Sequence, residues 1–157
     1  MHIRSVTPAD ISAIISLEQR CATAAHWTEQ QYRQVFQPEG VGRLVLVAES
    51  SAHLASRPDA GSELNGFLVA RHLAGEWELE NIVVAPAARR QGLAKQLLDA
   101  MFAAARESNS GSVFLEVRES NAAAQALYEK AGFEQNGRRK RYYTDPVEDA
   151  VLYRRGL

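Results

Sequence analysis

A chain of 157 residues that is 46% hydrophobic and 24% charged has enough apolar material for one folded domain, and its formal net charge of -1 points to no polyanionic partner. The single cysteine, Cys21, excludes an intrachain disulfide, and the opening "MHIRSVTPAD" lacks the apolar core of a secretory signal. No apolar run approaches the roughly 20 residues that span a bilayer. The expectation is one domain over residues 1–157 in a reducing cytoplasm, neither membrane-embedded nor a dedicated nucleic-acid binder.

In chain order, "HIRSV" reads as a short strand and "TPADISAIISLEQR" as a helix, with Thr7 as its cap and Pro8 in its first turn. "WTEQQYRQVF" reads as a second helix, with Thr28 and Gln31 as a capping box, and Pro38 and Gly40 break the pattern after it. "RLVLVAE" and "NGFLVARHL" show little alternation, as strands buried on both faces should, and they are expected to pair. Between them residues 50–63, rich in Ser, Ala, Pro and Gly, read as a long flexible loop rather than a domain boundary. The strand "EWELENIVV", a helix from Gly92 to about Glu107, the strand "SVFLEV", a helix in "SNAAAQALYEKAG" capped by Ser120 and a hairpin in "RRKRYYTDPVEDAVLYRR" complete the chain.

The junction "VAPAARRQGLAKQLL" carries the first chemical signal. A helix that begins directly after a strand leaves its first amide N–H groups unpaired and attracts anions. Gly92 lets a phosphate approach the backbone, Ala94 keeps the first turn uncrowded, and Arg89 and Arg90 supply charge that suits phosphate oxygens. On these residues alone the alternative is equally open: two solvated arginines and a tight turn. Neither G-x-x-x-x-G-K-[ST] nor a G-x-G-x-x-G after a strand is present, which disfavours a nucleoside triphosphate or a nicotinamide cofactor.

"R-x-x-G-x-A" at Arg89, Gly92 and Ala94 resembles the [QR]-x-x-G-x-[GA] signature of the Gcn5-related N-acetyltransferase superfamily. "LEVRESNAAAQALYEKAGF", "HWTEQQY", "NIVVAP" and "RRKRYYTDPVEDAVLY" extend the likeness, over nearly the whole chain, to ribosomal-protein-alanine N-acetyltransferases of the RimI type. The loop at 50–63 and His26, directly before Trp27 where relatives often place a proline, depart from the pattern. The resemblance implies a single-domain α/β fold, a mixed central sheet splayed at the cofactor site and flanked by helices. It implies acetyl-CoA as co-substrate, its pyrophosphate held by Arg89, Arg90, Gln91, Gly92, Leu93, Ala94 and Lys95. Its pantetheine arm would pair with the backbone of Ile82, Val83 and Val84, and Asn121 would make a further contact.

In "VFLEV" the alternation sets Glu116 on the face of Phe114 and opposite Leu115. Read from the residues alone, Glu116 could serve a structural partner such as Arg118; by resemblance it is the general base and Tyr128, at the margin of its helix's apolar stripe, is the general acid. Glu80 competes for the base role, or holds a water, or is a paired surface group. Trp27, Tyr142 and Tyr143 are expected on the acceptor side, and the run Arg138, Arg139, Lys140 and Arg141 reads as a solvated hairpin edge that could alternatively meet RNA or an acidic surface. No metal is expected: His2, His26, His53 and His72 are scattered without ligand spacing, and Cys21 has no motif around it. The implied partner is the N-terminus of a ribosomal or other protein. Acetylation of lysines or small amines, and a non-catalytic acetyl-CoA-binding module, stay open beside it.

Overall fold

The computed structural model describes residues 1–37, 42–50 and 63–157; the break at Pro38 and Gly40 and most of the 50–63 stretch, His53 included, lie outside them. Within these residues the chain forms β1 (His2–Ser5), α1 (Ile11–Gln19), α2 (Glu29–Gln34), β2 (Arg43–Glu49), β3 (Leu64–Leu73) and β4 (Glu76–Val84). There follow α3 (Leu93–Glu107), β5 (Ser112–Arg118), α4 (Ala122–Lys130), β6 (Glu134–Thr144) and β7 (Val147–Gly156). The seven strands form one sheet in the order β1-β2-β3-β4-β5-β7-β6, antiparallel throughout except where β4 meets β5.

The central strands β2 and β3 are buried along most of their length, which explains their unbroken apolar runs. Helix α3 lays Leu93, Leu97, Leu98, Met101, Phe102 and Ala105 into the core at helical spacing and packs on β2, β3 and β4. Gly66 permits that packing: a Cβ there would stand 2.8 Å from the Val83 carbonyl and 3.4 Å from Leu93. The Thr28–Gln31 capping box forms as expected, with Gln31 N–H donating to Thr28 Oγ1 at 3.2 Å and Thr28 N–H to Gln31 Oε1 at 2.8 Å.

One helix start follows the sequence reading and one differs. At the first, Thr7 is the N-cap and Pro8 opens the turn as expected, and Pro8–Asp10 wind as a 3₁₀ turn before α1: Asp10 N–H donates to the Thr7 carbonyl at 3.0 Å, and Thr7 donates from N–H and Oγ1 to Asp10 Oδ2 at 2.7 and 3.0 Å. Arg4 anchors the same carboxylate through two bonds of 2.8 and 2.9 Å. At α4 the cap is Asn121, which accepts from Ala124 N–H at 3.1 Å, while the Ser120 hydroxyl is drawn away to Glu148 at 2.9 Å.

The feature that creates a cleft is the short contact between β4 and β5. Only Glu76, Trp77 and Glu78 pair with Ser112, Val113 and Phe114; beyond them the two strands run on unpaired to Val84 and Arg118. The cause lies on the other edge of β4, where Ala70 faces Leu79 and Val69 faces Asn81, leaving Glu80 as an extra, bulged residue. A bulge bends and twists its strand. Here it turns β4 away from β5 just after the last shared pair, so the backbone edges of both arms face an open wedge.

Candidate active site

One arm of the wedge is β4. Glu80 sits on it and is clasped by Arg43, Nε to Oε2 at 2.9 Å and Nη2 to Oε1 at 3.2 Å, with Arg71 at 3.5 Å. The hydrogen bond to Glu80 holds the Arg43 guanidinium above its usual range, against the opposing effect of burial. The same guanidinium lies 5.1 Å from the Trp27 ring, so the aromatic residue from the α1–α2 connection is stacked onto the β4 arm. Sequence reading had no signal for Arg43, since it lies in a different element from both of its partners.

The other arm is β5, with Glu116 two positions past the last pair, the place Glu80 holds on β4. Its partner is Arg139, Nε to Oε1 at 3.1 Å, not Arg118. Arg118 instead lies 4.2 Å from the Tyr143 ring and donates to the carbonyls of Asp145 and Pro146. The Tyr142 ring lies 5.4 Å from the Arg139 guanidinium that pairs with Glu116, and hydrogen-bonding and charge effects of Glu116 raise its phenol above the ordinary value. Tyr143 is raised by burial first and by Glu116 second. Both tyrosines lie on the Glu116 side of the hairpin, where β6 carries two extra residues between Arg139, opposite Ala150, and Tyr143, opposite Glu148; Arg141 there has φ 52°. The basic run is thus not a solvated edge throughout. Arg139 serves Glu116, and Arg138 bridges Glu119 at 2.7 Å and Asp149 at 3.0 Å.

Tyr128 is the one buried residue of α4, with its ring 5.8 Å from Phe133 and 6.3 Å from Tyr153. It was expected at the margin of an apolar stripe; the stripe is weak, Leu127 is only half-buried, and Phe133 and Tyr153 take Tyr128 inward. Burial, reinforced by Tyr143, raises its phenol well above the ordinary range.

The N-terminus of α3 is open. Gly92 precedes it at φ 78°, no side chain caps it, and the Gly92 carbonyl accepts the first intrahelical bond from Gln96. A Cβ on Gly92 would meet nothing within 4 Å, so the space above the first turn is clear of protein. Leu93 points its side chain into the core and offers only its backbone outward, whereas Arg90, Gln91 and Lys95 are exposed. Arg89 is exposed too, but its guanidinium turns back to the Val84 carbonyl at 3.2 Å and to the Cys21 sulfur at 3.8 Å. Lys95 pairs with Asp99 at 2.6 Å. Among the described residues no group of His, Cys, Asp and Glu could hold a metal ion, and no helix is long and apolar enough to cross a membrane.

The model of the acetyltransferase (GNAT) family matches residues 11–133, which span both the open helix N-terminus and the splayed strands. The chain belongs to that family. It is 32% identical over 152 residues to the [ribosomal protein bS18]-alanine N-acetyltransferase of Escherichia coli K12, covering 96% of this chain and 93% of the relative. The crystal structure of the Escherichia coli ribosomal-protein-S18-alanine N-acetyltransferase superposes with a TM-score of 0.76 at 31% identity, over 99% of this chain and 93% of that one. Ard1 from Thermoplasma volcanium superposes with a TM-score of 0.79 at 27% identity, over 99% and 97%. The GNAT chain is an acetyl-CoA-dependent N-acetyltransferase, and its mixed sheet flanked by four helices is the fold that the resemblance implied.

Proposed function

We propose that this GNAT enzyme transfers the acetyl group of acetyl-CoA to the N-terminal α-amine of a protein, most plainly the N-terminal alanine of a small-subunit ribosomal protein. The observation that carries the reading is the assembly around Glu116: a carboxylate at the mouth of the wedge, faced by two tyrosines and an arginine from the bulged hairpin. The likeness to the Escherichia coli enzyme supplies the acceptor class.

In this reading the α3 N-terminus, residues 89–95, takes the pyrophosphate through its free amides. The unpaired edge of β4 at Ile82, Val83 and Val84 takes the pantetheine arm as an added strand, and Asn121 adds a contact at the α4 start. The thioester then lies in the wedge, between the arms that carry Glu80 and Glu116. The acceptor amine enters between Trp27 on the β4 side and Tyr142 and Tyr143 on the hairpin. Glu116, directly or through a water, takes the proton as the nitrogen attacks, and the carbon–sulfur bond breaks.

Tyr128 meets the departing sulfur. An ordinary phenol near 10 giving its proton to a thiolate near 8.5 is already uphill by about 2 kcal/mol, and burial makes the transfer harder. Its role is therefore chiefly a hydrogen bond that stabilises the thiolate. Glu80, held on both oxygens by Arg43, is engaged as a structural carboxylate and is the poorer base.

The test uses two peptides of one sequence, one with a free N-terminal alanine, the other blocked there and carrying an internal lysine. A free α-amine near pKa 8 is roughly a tenth to a third neutral at about pH 7.5, and a lysine about one part in a thousand. Ionisation alone thus predicts at least about a hundredfold preference for the free peptide, and a site gripping the first residues adds to it. As pH rises toward about 10 the ionisation part shrinks and the shape part stays. Comparable rates at pH 7.5, or a preference for spermidine over both peptides, would overturn the α-amine reading and leave the acetyltransferase assignment in place.

A further inference from the structure

The Glu18 carboxyl, at the last turn of α1, is 1% exposed and has no part in the chemistry above. Its Oε1 accepts from Asn81 Nδ2 at 2.6 Å. Asn81 is itself buried on β4, next to the bulged Glu80. The Trp27 backbone N–H and the Tyr32 hydroxyl of α2 face the carboxyl, and the Tyr32 ring lies 5.4 Å from that of Trp27. Glu18 Oε2 and the Tyr32 hydroxyl are close enough to shift each other's ionisation, yet they make no hydrogen bond of ordinary geometry. Burial holds the carboxyl above its usual range, opposed by Tyr32, Asn81, the charge of His26 and the Trp27 amide.

One buried carboxyl therefore bonds the β4 arm through Asn81 and faces both the connection that carries Trp27 and the helix α2 behind it. A second brace joins the same parts from outside: Arg43 over the Trp27 ring and onto Glu80. Both braces end on Trp27 and on the neighbouring residues 80 and 81. An apolar side chain at position 18 would fill the core without the cost of desolvating a carboxyl. What it could not do is hold a backbone amide of the acceptor wall and a side chain of the splayed strand in one register.

We propose that Glu18 is a positioning residue for the acceptor, which acts through Asn81 and the Trp27 backbone to fix the acceptor wall against the arm of β4 that carries the thioester. This rests on the acceptor assignment above. Glutamine suits the same place: its carbonyl can accept from Asn81 while facing the Trp27 amide, and its NH₂ can donate to the Tyr32 hydroxyl.

The test is steady-state kinetics with acetyl-CoA and the alanine peptide on Glu18→Leu, Glu18→Gln and Asn81→Leu. Loss of the brace should raise the peptide KM about tenfold in Glu18→Leu and Asn81→Leu, with kcat and the acetyl-CoA KM within about threefold of the parent. Glu18→Gln should restore the peptide KM, and the double leucine variant should be no worse than either single one. An unchanged peptide KM, an equal rise in both KM values, or glutamine as poor as leucine would overturn the proposal. If Glu18→Leu does not fold, Asn81→Leu and Glu18→Gln carry the same expectations.

Fluorine NMR of protein labelled with 5-fluorotryptophan separates this proposal from the acceptor reading, because it needs no turnover. The Trp27 signal, assigned with Trp27→Phe, should move or broaden in Glu18→Leu and return in Glu18→Gln while the Trp77 signal stays. A still Trp27 signal sinks the positioning role even if the peptide is acetylated. A peptide that the parent enzyme ignores sinks the acceptor reading even if Trp27 moves.

Discussion

The donor half of the wedge and the acceptor half are built from different materials. The donor half is backbone: an uncapped helix start, a glycine at φ 78° and a strand edge that has no partner strand beyond residue 78. The acceptor half is side chains in pairs drawn from distant elements: Arg43 with Glu80, Arg139 with Glu116, Trp27 under Arg43, Glu18 with Asn81. Backbone sites tolerate side-chain change at every position but the glycine, whereas paired side chains fail when either member goes. Lesions in the two halves should therefore separate cleanly between the acetyl-CoA KM and the peptide KM.

The largest effect is expected where the halves meet. Glu116→Gln and Tyr128→Phe should each lower kcat about a hundredfold with little change in acetyl-CoA binding, the usual scale for losing an acid or base. Glu80→Gln should cost far less, since the amide can still accept from Arg43. Pre-steady-state measurement of the acetyl-transfer step decides it; a crippled Glu80→Gln beside a mild Glu116→Gln would move the base to the other arm of the wedge.

Next comes the donor half. Gly92→Val should weaken acetyl-CoA binding by about tenfold or more, read by calorimetry, with the peptide KM unchanged. Positive φ strains any residue with a Cβ, by about 1–3 kcal/mol, so Gly92→Ala is the control that carries most of this strain with a single methyl group. No protein atom lies within 4 Å of that Cβ position. Loss of affinity in valine well beyond that in alanine therefore measures crowding of the phosphates. Equal, small effects in both would place the pyrophosphate elsewhere.

In the acceptor half, Arg43→Gln should raise the peptide KM about threefold and leave acetyl-CoA binding alone, the modest scale of a partly exposed ion pair and a cation–π contact. An equal change in both KM values would mean that the two halves are coupled through β4.

The same contrast explains what could be read from the sequence. A helix start after a strand with glycine at the turn is contiguous, so "RRQGLAK" announced the donor half, and apolar patterning announced the central strands β2 to β5, whereas the polar, exposed β6 was expected only from Arg138 and starts at Glu134. Tyr142, Tyr143 and Trp27 could be placed near the acceptor only through resemblance, and their partners not at all. The Arg139–Glu116 pair spans two strands that are not neighbours in the sheet, and the placing of the two tyrosines beside it depends on two extra residues in β6. The bulge at Glu80, which opens the wedge, leaves no trace in "EWELENIVV", whose burial alternates without a break. The cap misread at Ser120 fails for a related reason: a distant carboxylate, Glu148, takes the local hydroxyl and leaves Asn121 to cap the helix.

The smallest effect on catalysis should come from a lesion that belongs to neither half, and it is the control for all the others. Asp10 is 5% exposed, and burial alone would raise its carboxyl, but the bonds from Arg4 and Thr7 outweigh this and hold it below its ordinary value. A carboxylate whose pKa is depressed in the folded state contributes stability that is present above the unfolded value, near 3.9, and lost as pH falls through the folded one. Glu18, raised in the fold, acts with the opposite sign: its contribution is present in acid and fades as pH climbs through its folded value. Asp10→Asn should therefore unfold at a temperature several degrees lower at pH 7, for a loss of about 1–3 kcal/mol in charged hydrogen bonds. The gap from the parent should narrow below about pH 4, as the parent's own Asp10 takes up a proton. Circular dichroism melts at pH 7 and pH 3 supply the measurement. With the fold intact at assay temperature, both KM values should stay within about twofold of the parent, since no brace of the wedge runs through Asp10. A selective rise in the peptide KM would show that the β1–α1 corner steers the acceptor wall through α1, and the division into two halves would need a third part.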